Sequence, residues 1–424
     1  ATLSGLGFDP EGFDAPFDAF SGGWQMRAEM ARVLVARPDV LLLDEPTNYL
    51  DIPAVEWLQR FLREYRGTLL LISHDRYLLN SLTDVTLELA AGRVTRYAGN
   101  HDFYVRERVL RRRQAESARK NQDRRRQQIE RFVERFRAKN TKASQVQSKI
   151  KMLERMEEEE VEAPAVAVSP GCIRLRPAAR CGREVVRLDE AGFTYDGERW
   201  VLRGVNLRIE RGEKLALVGY NGSGKTTLLR LLAGRHAPSE GKRVAGHKVR
   251  AGYQSQDFAE TMAPERTAYE TVRSAAADAT DGEVRTLLGG FGFSGEAVRK
   301  TVSVLSGGEK VRLAFARLLI DPPNFLLLDE PTTHLDIAAR ESLQDALKDY
   351  NGTICLVSHD IEFVRAVAGG IVAMKPPGIE RFVGGYDDYR ERAEAQAASP
   401  ADKRSSGGAA EPGRKQEGRA GAQK

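Results

Sequence analysis

A glycine-rich segment in the second half of the chain has the residue types that hold the phosphates of a nucleotide. The segment 219–226 reads Gly-Tyr-Asn-Gly-Ser-Gly-Lys-Thr, and apolar runs lie on both sides of it. This order predicts a strand, a loop and a helix, with backbone N–H groups around the β- and γ-phosphates. Lys225 would add a positive charge, the Thr226 hydroxyl would reach Mg²⁺, and Thr227 would add a phosphate hydrogen bond. The residues predicted to hold the nucleotide here are Gly219, Asn221, Gly222, Ser223, Gly224, Lys225, Thr226 and Thr227.

Two carboxylates and a histidine could supply the chemistry of phosphoryl transfer. Asp329 and Glu330 follow an apolar run of buried-strand length. Asp329 would hold Mg²⁺, directly or through water, and Glu330 would orient or activate the attacking water. A lone carboxylate pair would more often cap the next turn, but the phosphate segment favours the catalytic interpretation. His359 follows another apolar run, within Ser-His-Asp, and would contact the γ-phosphate and the attacking water.

The same pattern occurs twice, without a second phosphate segment. Three pairs are 285 residues apart: Ser21 and Ser306, Asp44 and Asp329, and His74 and His359. A register kept over this length predicts two similar domains, with Glu45 and His74 repeating the catalytic pair. The counterpart of the phosphate segment would lie about 66 residues before Ala1, so we expect the chain to be the C-terminal part of a longer protein.

The elements that position these residues fall into five predicted regions. Buried strands are expected at 40–43 and 68–72, and helices around 26–36 and 54–65. The predicted regions are the back part of a first α/β domain (1–102), a helical hairpin (103–160), a linker (161–184), a complete second α/β domain (185–394) and a disordered tail (395–424).

The hairpin region carries most of the positive charge. Residues 103–160 contain no Gly or Pro, and the likeliest turn is 138–141, which gives a first arm of about 35 residues and roughly 50 Å. Residues 106–155 hold 18 Lys or Arg against 6 Asp or Glu, a surplus of +12 in a chain whose net charge is +5. This surplus favours contact with a polyanion, although a solvated coiled coil with basic faces would look similar.

Composition excludes several classes of protein. Hydrophobic residues make up 41% and charged residues 29%, and no apolar run approaches the ~20 residues of a membrane-spanning helix. No secretory signal is visible, and three cysteines (Cys172, Cys181 and Cys355) fit a reducing compartment. We therefore expect a cytoplasmic location, no membrane contact and no transmembrane partner.

Together these motifs resemble the ATP-binding cassette superfamily, in which two cassettes pack head to tail around ATP and Mg²⁺. The resemblance implies one complete site, built from Gly219–Thr227, Gln256, Asp329, Glu330 and His359 of the second cassette and Ser21, Gly22 and Gly23 of the first. A second site would have Asp44, Glu45, His74, Ser306, Gly307 and Gly308 but no phosphate loop in this chain. Tyr195 resembles the aromatic that stacks on adenine, with an ordinary strand aromatic as the alternative. The family has a glutamine that contacts Mg²⁺ and the attacking water, and Gln256 fits this residue better than Gln254 does.

Within the superfamily the chain resembles the ABC-F branch, whose members have tandem cassettes and act on ribosomes. The segments 20–27 (FSGGWQMR) and 44–51 (DEPTNYLD) are similar to that branch's first cassette. The segments 132–137 and 142–149 are similar to its interdomain hairpin. The resemblance implies that the hairpin reaches toward P-site tRNA and rRNA. Phe20, Tyr49 and Thr333 depart from the usual residues, and none of them removes a catalytic group.

Several functions stay open at this point. An ABC-F ATPase would be either a general translation factor or a ribosome-protection factor for antibiotic resistance, and the short predicted turn favours the general factor. The ATPase subunit of a transporter would need a membrane partner and no basic hairpin. A DNA-binding ATPase would use the same basic hairpin on duplex DNA, because charge does not separate DNA from RNA.

Overall fold

The computed structural model describes most of both predicted domains. The described residues are 2–9, 13, 15–48, 50–90, 92–136, 147–153, 173, 175–255, 262–333, 335 and 337–398. We refer to residues 2–97 as the first repeat and to residues 184–398 as the second repeat.

The first repeat is a small α/β unit around one parallel strand pair. Its elements are α1 (Thr2–Gly5), α2 (Gly22–Ala36), β1 (Val40–Asp44), α3 (Ile52–Arg63), β2 (Thr68–Ile72), α4 (Arg76–Leu82), β3 (Thr86–Ala90) and β4 (Arg93–Tyr97). β1 pairs with β2 in parallel, and β3 with β4 as an antiparallel hairpin. Helices α2 and α3 cover one face of the β1–β2 pair, where Leu34, Leu41 and Leu58 form a buried core.

A long basic helix connects the repeats. Helix α5 (His101–Phe136) has 36 residues, which corresponds to about 54 Å, and α6 is helical over 147–153. The first turns of α5 contact the first repeat through Glu88 on β3. That carboxylate accepts hydrogen bonds from the hydroxyls of Tyr97 (2.9 Å) and Tyr104 (3.0 Å), and Arg108 Nε lies 3.0 Å from it. The base of the helix is therefore fixed to a strand rather than freely jointed.

The second repeat has two sheets and helices around them. Its strands are β5 (Glu184–Thr194), β6 (Trp200–Glu210), β7 (Lys214–Val218), β8 (Glu240–Ala245), β9 (Ala251–Gln254), β10 (Phe325–Asp329), β11 (Thr353–Val357), β12 (Gly370–Lys375) and β13 (Gly378–Val383). Its helices are α7 (Lys225–Ala233), α8 (Ala268–Arg273), α9 (Asp281–Gly290), α10 (Gly307–Leu319), α11 (Ile337–Asp349), α12 (Ile361–Val367) and α13 (Tyr386–Ala398). One sheet has the order β13-β12-β7-β11-β10-β9 and the other β6-β5-β8.

The parallel strands β7, β10 and β11 bring the predicted chemistry to one edge. β11 lies between β7 and β10 and is parallel to both. Parallel strands end at the same edge of a sheet, so the segments that follow these three strands lie side by side. Those segments carry the phosphate loop, the Asp-Glu pair and the Ser-His-Asp sequence.

The repeats keep the same strand register. Val40 pairs with Thr68 in the first repeat, and Phe325 pairs with Thr353 in the second, each shifted by 285 residues. Tyr65 and Tyr350, also at that offset, both donate their hydroxyls to the carbonyl of a proline, Pro38 and Pro323 respectively.

The α/β fold class and the tandem arrangement are confirmed, and the predicted strands and helices of the first repeat are present. The first arm of the predicted hairpin is α5. The turn at 138–141, residues 161–172 of the linker and residues 399–424 of the tail lie outside the described residues. Among the described helices, none has the length and apolar composition that crossing a membrane requires.

Candidate functional site

The phosphate loop joins β7 to α7 as the sequence predicted. Gly219 has a φ of 152°, and a Cβ there would lie 2.9 Å from the Cβ of Met374, so the position needs glycine. Gly224 forms the N-cap of α7 with a φ of 90°. The buried Lys225 ammonium donates to the carbonyls of Gly219 (2.8 Å) and Tyr220 (2.9 Å), which closes the loop around it. Burial lowers the pKa of Lys225, against the opposing effect of Glu330.

The predicted metal-binding oxygens of Thr226 and Asp329 meet beneath this loop. The Thr226 hydroxyl donates to Asp329 Oδ1 at 3.3 Å, and the hydroxyl of Tyr253 lies 3.4 Å from Oδ2. Burial raises the pKa of Asp329, while the hydrogen bond from Thr226 acts in the opposite direction. Tyr253 was not singled out from the sequence, because a strand aromatic carries no signal of what its hydroxyl reaches.

Glu330 and His359 form a close, partly buried pair. Glu330 Oε1 lies 3.1 Å from His359 Nε2, and the backbone N–H of His359 donates to Glu330 Oε2 at 3.2 Å. Burial, with a further contribution from Asp329, raises the pKa of Glu330 to about 8. Burial and the charge of Lys225 lower the pKa of His359 to about 3. The raised pKa gives the Glu330 carboxylate a higher proton affinity than an exposed glutamate has, and the lowered pKa keeps the His359 imidazole neutral.

These residues fit ATP with Mg²⁺. Mg²⁺ keeps several waters and takes one or two carboxylates together with substrate phosphates, which matches the single carboxylate Asp329 beside the Thr226 hydroxyl. The Ser223 hydroxyl in the phosphate loop is buried and has no hydrogen-bond partner within the described part of the chain. The N-terminus of α7 adds backbone N–H groups that favour an anion.

The first repeat reproduces the glutamate–histidine geometry. Glu45 Oε1 lies 3.6 Å from His74 Nε2, and the His74 N–H donates to Glu45 Oε2 at 3.3 Å. Glu45 and Glu330 are both in the left-handed region, with φ of 45° and 51°. A non-glycine residue in this region is strained, and such strain occurs at functional sites. Each glutamate is therefore held in the same unusual conformation after its strand.

Ser21 and Ser306, which are equivalent at the 285-residue offset, differ in their hydrogen bonds. Ser21 and Ser306 are the N-caps of α2 and α10. The Ser306 hydroxyl accepts from the N–H of Glu309 at 3.3 Å, and Glu309 accepts from the N–H of Ser306 in return, a capping box. The residue at the same place after Ser21 is Trp24, and the Ser21 hydroxyl makes no capping bond. Only the Ser21 hydroxyl is thus not committed to its own helix.

A large cavity lies between the repeats. Its volume is about 1060 Å³. The predicted site residues on its wall are Ser21, Gly23, Glu45 and His74 of the first repeat and Asn221, Gly222, Gly308, Glu330 and His359 of the second. The structure therefore brings residues of both predicted sites to one space. Gln254 also lines it, whereas Gln256 lies outside the described residues and stays a prediction.

Asp51 joins the repeats directly at the phosphate loop. Its Oδ2 accepts from the N–H of Asn221 at 3.0 Å and lies 3.5 Å from Nη2 of Arg27, which is almost fully buried. Asp51 Oδ1 also caps α3 through the N–H of Ala54. Sequence reasoning missed both residues as site residues, although an Asp six residues after Glu45 and before Ile-Pro is a helix N-cap signal.

Tyr195 lies on the other side of the phosphate loop. Its hydroxyl is 3.1 Å from Thr227 Oγ1, and 61% of the residue is exposed. His236 stacks on Phe193 beside it, with ring centroids 5.0 Å apart. An exposed ring anchored next to the start of α7 suits stacking on a base, which remains a prediction.

The sequence was also compared with known proteins. A model of the ABC transporter family matches residues 2–48 and 202–333, and a second model with the same description matches 87–169, which includes all of α5. The probable ATP-binding protein YheS of Escherichia coli K12 is 38% identical over 389 residues, 92% of this chain and 60% of YheS. ATP-binding cassette sub-family F member 3 of Homo sapiens is 39% identical over 395 residues, 92% of this chain and 54% of that protein.

Among solved structures, archaeal ribosome recycling factor aABCE1 in complex with stalk protein aP1 aligns with a TM-score of 0.61. The alignment covers 93% of this chain and 70% of that one at 21% identity, which supports the fold alone. The chain spans a little over half of the two sequence relatives, 60% and 54% of their lengths. Motifs, repeat geometry and relatives agree, and the chain belongs to the ABC-F subfamily of ATP-binding cassette proteins.

Proposed function

We propose that this protein binds ATP with Mg²⁺ between its cassettes, hydrolyses it, and uses the cycle to control association with the ribosome. The observation that carries the ATPase part is the cavity between the repeats. The phosphate loop and Glu330 of the second repeat face the Ser21 loop of the first across it. Asp51 bonds across the same boundary to the phosphate loop, so closure of the repeats and nucleotide binding are physically linked.

Each site residue has a proposed role. The loop Gly219–Thr227, with Lys225, would hold the β- and γ-phosphates, and Asp329 with Thr226 would hold Mg²⁺. A bound Mg²⁺ would neutralise charge on the phosphate oxygens. Glu330 would orient the attacking water and accept its proton at a carboxylate oxygen, with His359 fixing that carboxylate. Ser21, Gly22 and Gly23 would complete the site from the first repeat, and Tyr195 would stack on adenine.

The other set of residues is proposed to serve a second nucleotide. Glu45 and His74 reproduce the catalytic pair, and Gly308 shares the cavity wall with them. Ser306 and Gly307 lie at the start of α10 beside Gly308. The sequence holds a single phosphate-loop motif, so in this chain we assign ATP turnover to the site of Glu330.

Ribosome binding is proposed for the basic helix and its hairpin. The surplus of +12 over 106–155 is concentrated there, and Arg124, Arg125 and Arg126 on α5 are exposed. RNA phosphates are the expected partner, with rRNA and P-site tRNA as the specific targets. The structural relative aABCE1 is a ribosome recycling factor. The proposed location is the cytoplasm, and translation factor and antibiotic-resistance factor remain two versions of the proposal.

Sedimentation with ribosomes tests the proposal. Glu330→Gln protein should bind ATP but hydrolyse it slowly, which traps the closed state. We expect this variant to sediment with ribosomes more in ATP than without it, and the bound fraction to fall as salt increases because phosphate contacts release counterions. An excess of duplex DNA should not release it. Release of the protein from ribosomes by DNA would contradict the proposal. Ribosome binding that depends on neither ATP nor salt concentration would also contradict it.

A further inference from the structure

One arginine contacts the switch loops of both repeats, the loops that carry His74 and His359. Arg340 lies on α11 in the second repeat. Its Nη1 donates to the backbone carbonyl of His74 at 3.1 Å and lies 3.3 Å from Asp360 Oδ2. Its Nε donates to the carbonyl of Leu335 at 3.0 Å, which orients the guanidinium. A single side chain thus bridges the first repeat to the residue after His359.

Two like charges face each other at this point. Asp75 and Asp360 are the N-caps of α4 and α12, and each accepts a hydrogen bond from the first turn of its own helix. Burial and the charge of Asp360 together raise the pKa of Asp75 to about 6, against the opposing effects of the hydrogen bond from the Leu78 N–H and of Arg340. Removing the Arg340 guanidinium would therefore take away a positive charge that offsets the repulsion between these two carboxylates.

The duplication does not explain Arg340. Asp75 and Asp360 are equivalent at the 285-residue offset, but the residue equivalent to Arg340 is Val55, which is fully buried in the first repeat's core. Each repeat therefore has the acidic cap, but the arginine at the position of Arg340 is present in the second repeat alone. A residue needed only for the fold of a cassette would be expected in both copies.

We propose that Arg340 is a positioning residue that couples the two switch loops, by holding both of them and offsetting the charges of Asp75 and Asp360. The inference rests on the proposed ATPase function for its effect on turnover, but its physical core does not. Among the described residues, the hydrogen bonds of Arg340 reach neither the phosphate loop nor Asp329. It acts through the backbone of His74 and through Asp360, which adjoins His359.

Amide hydrogen exchange of the full chain tests the physical core. Peptides covering 73–79 and 358–364 report on the two loops. We expect Arg340→Gln to speed exchange in both peptides about tenfold, and Arg250→Gln to change neither by more than twofold. Arg250 is a matched control, because its ion pair with Asp321 (2.6 Å) lies within the second repeat. Faster exchange in 358–364 alone would overturn the coupling.

Turnover then distinguishes positioning from a structural role. Arg340→Gln should lower kcat about tenfold and leave the KM for ATP within twofold. Asp75→Asn keeps an N-cap but removes one of the facing charges. In the Asp75→Asn background the loss on changing Arg340 should fall below threefold, and Arg340→Lys should recover part of the rate.

An equal tenfold loss in both backgrounds would overturn the charge-offset inference. Absence of ATP turnover in the unmodified chain would count against the proposed function instead, and the exchange result would still decide whether Arg340 holds both loops.

Discussion

The two repeats have closely similar sequences at β1–β2 and β10–β11, yet they bury these strands differently. Leu327 on β10 is fully buried, whereas its counterpart Leu42 is 66% exposed. Val357 at the end of β11 is 2% exposed and its counterpart Ile72 59%. In the second repeat, β7 pairs with β11 and α7 packs on both β10 and β11. In the described part of the first repeat, β1 and β2 form a two-stranded sheet.

The difference shows that strand formation and strand burial have separate causes. Both copies form the same parallel pair in the same register, because the apolar runs VLLLD and FLLLD have the length and composition of a strand. Burial of the second face needs the phosphate-loop strand and helix. The unit that binds phosphate therefore also completes the hydrophobic core of a cassette.

The largest contrast is expected in catalysis. Glu330→Gln should lower kcat about 10²–10⁴-fold, because the amide does not accept a proton from water. Glu45→Gln should change kcat less than about threefold in this chain, since the only phosphate-loop motif lies with Glu330. Steady-state phosphate release by purified protein measures both. Equal losses would mean that the two glutamates act on one nucleotide, and that the cavity they share is a single site.

Much of this contrast was predictable from sequence, and some was not. The repeat offset and the order of apolar runs predicted the strands, the phosphate loop and the glutamate–histidine pairs, because each depends on local sequence. The contact of Asp51 with the phosphate loop and the contact of Arg340 with the His74 carbonyl were not predicted. Each joins segments more than 150 residues apart, and no local pattern encodes which segments meet.

The next largest difference between the repeats is expected in how much a core leucine contributes to the free energy of unfolding. Leu327→Ala should lower the free energy of unfolding by about 2–5 kcal/mol, because it leaves a cavity among fully buried neighbours. Leu42→Ala should lower it by less than about 0.5 kcal/mol, as expected for an exposed side chain. Urea unfolding of the two variants beside the unmodified chain measures the difference. A large loss at Leu42 would mean that this face is covered in solution.

The smallest contrast concerns the helix caps. Ser306→Ala removes the capping box of α10 and should cost about 1 kcal/mol of stability. Ser21→Ala should cost less, because the Ser21 hydroxyl makes no capping bond to α2. It should instead slow ATP turnover, since that hydroxyl is proposed to face the phosphates bound by the second repeat.

Thermal unfolding and turnover, measured on both serine variants, give opposite rankings under this interpretation. The ranking by stability loss places Ser306 first, and the ranking by loss of turnover places Ser21 first. Identical rankings would mean that both serines act only as helix caps. The difference between Trp24 and Glu309, which occupy equivalent positions in the two repeats, would then have no bearing on the site. Opposite rankings would show that losing a capping box is what leaves a serine hydroxyl available to a ligand.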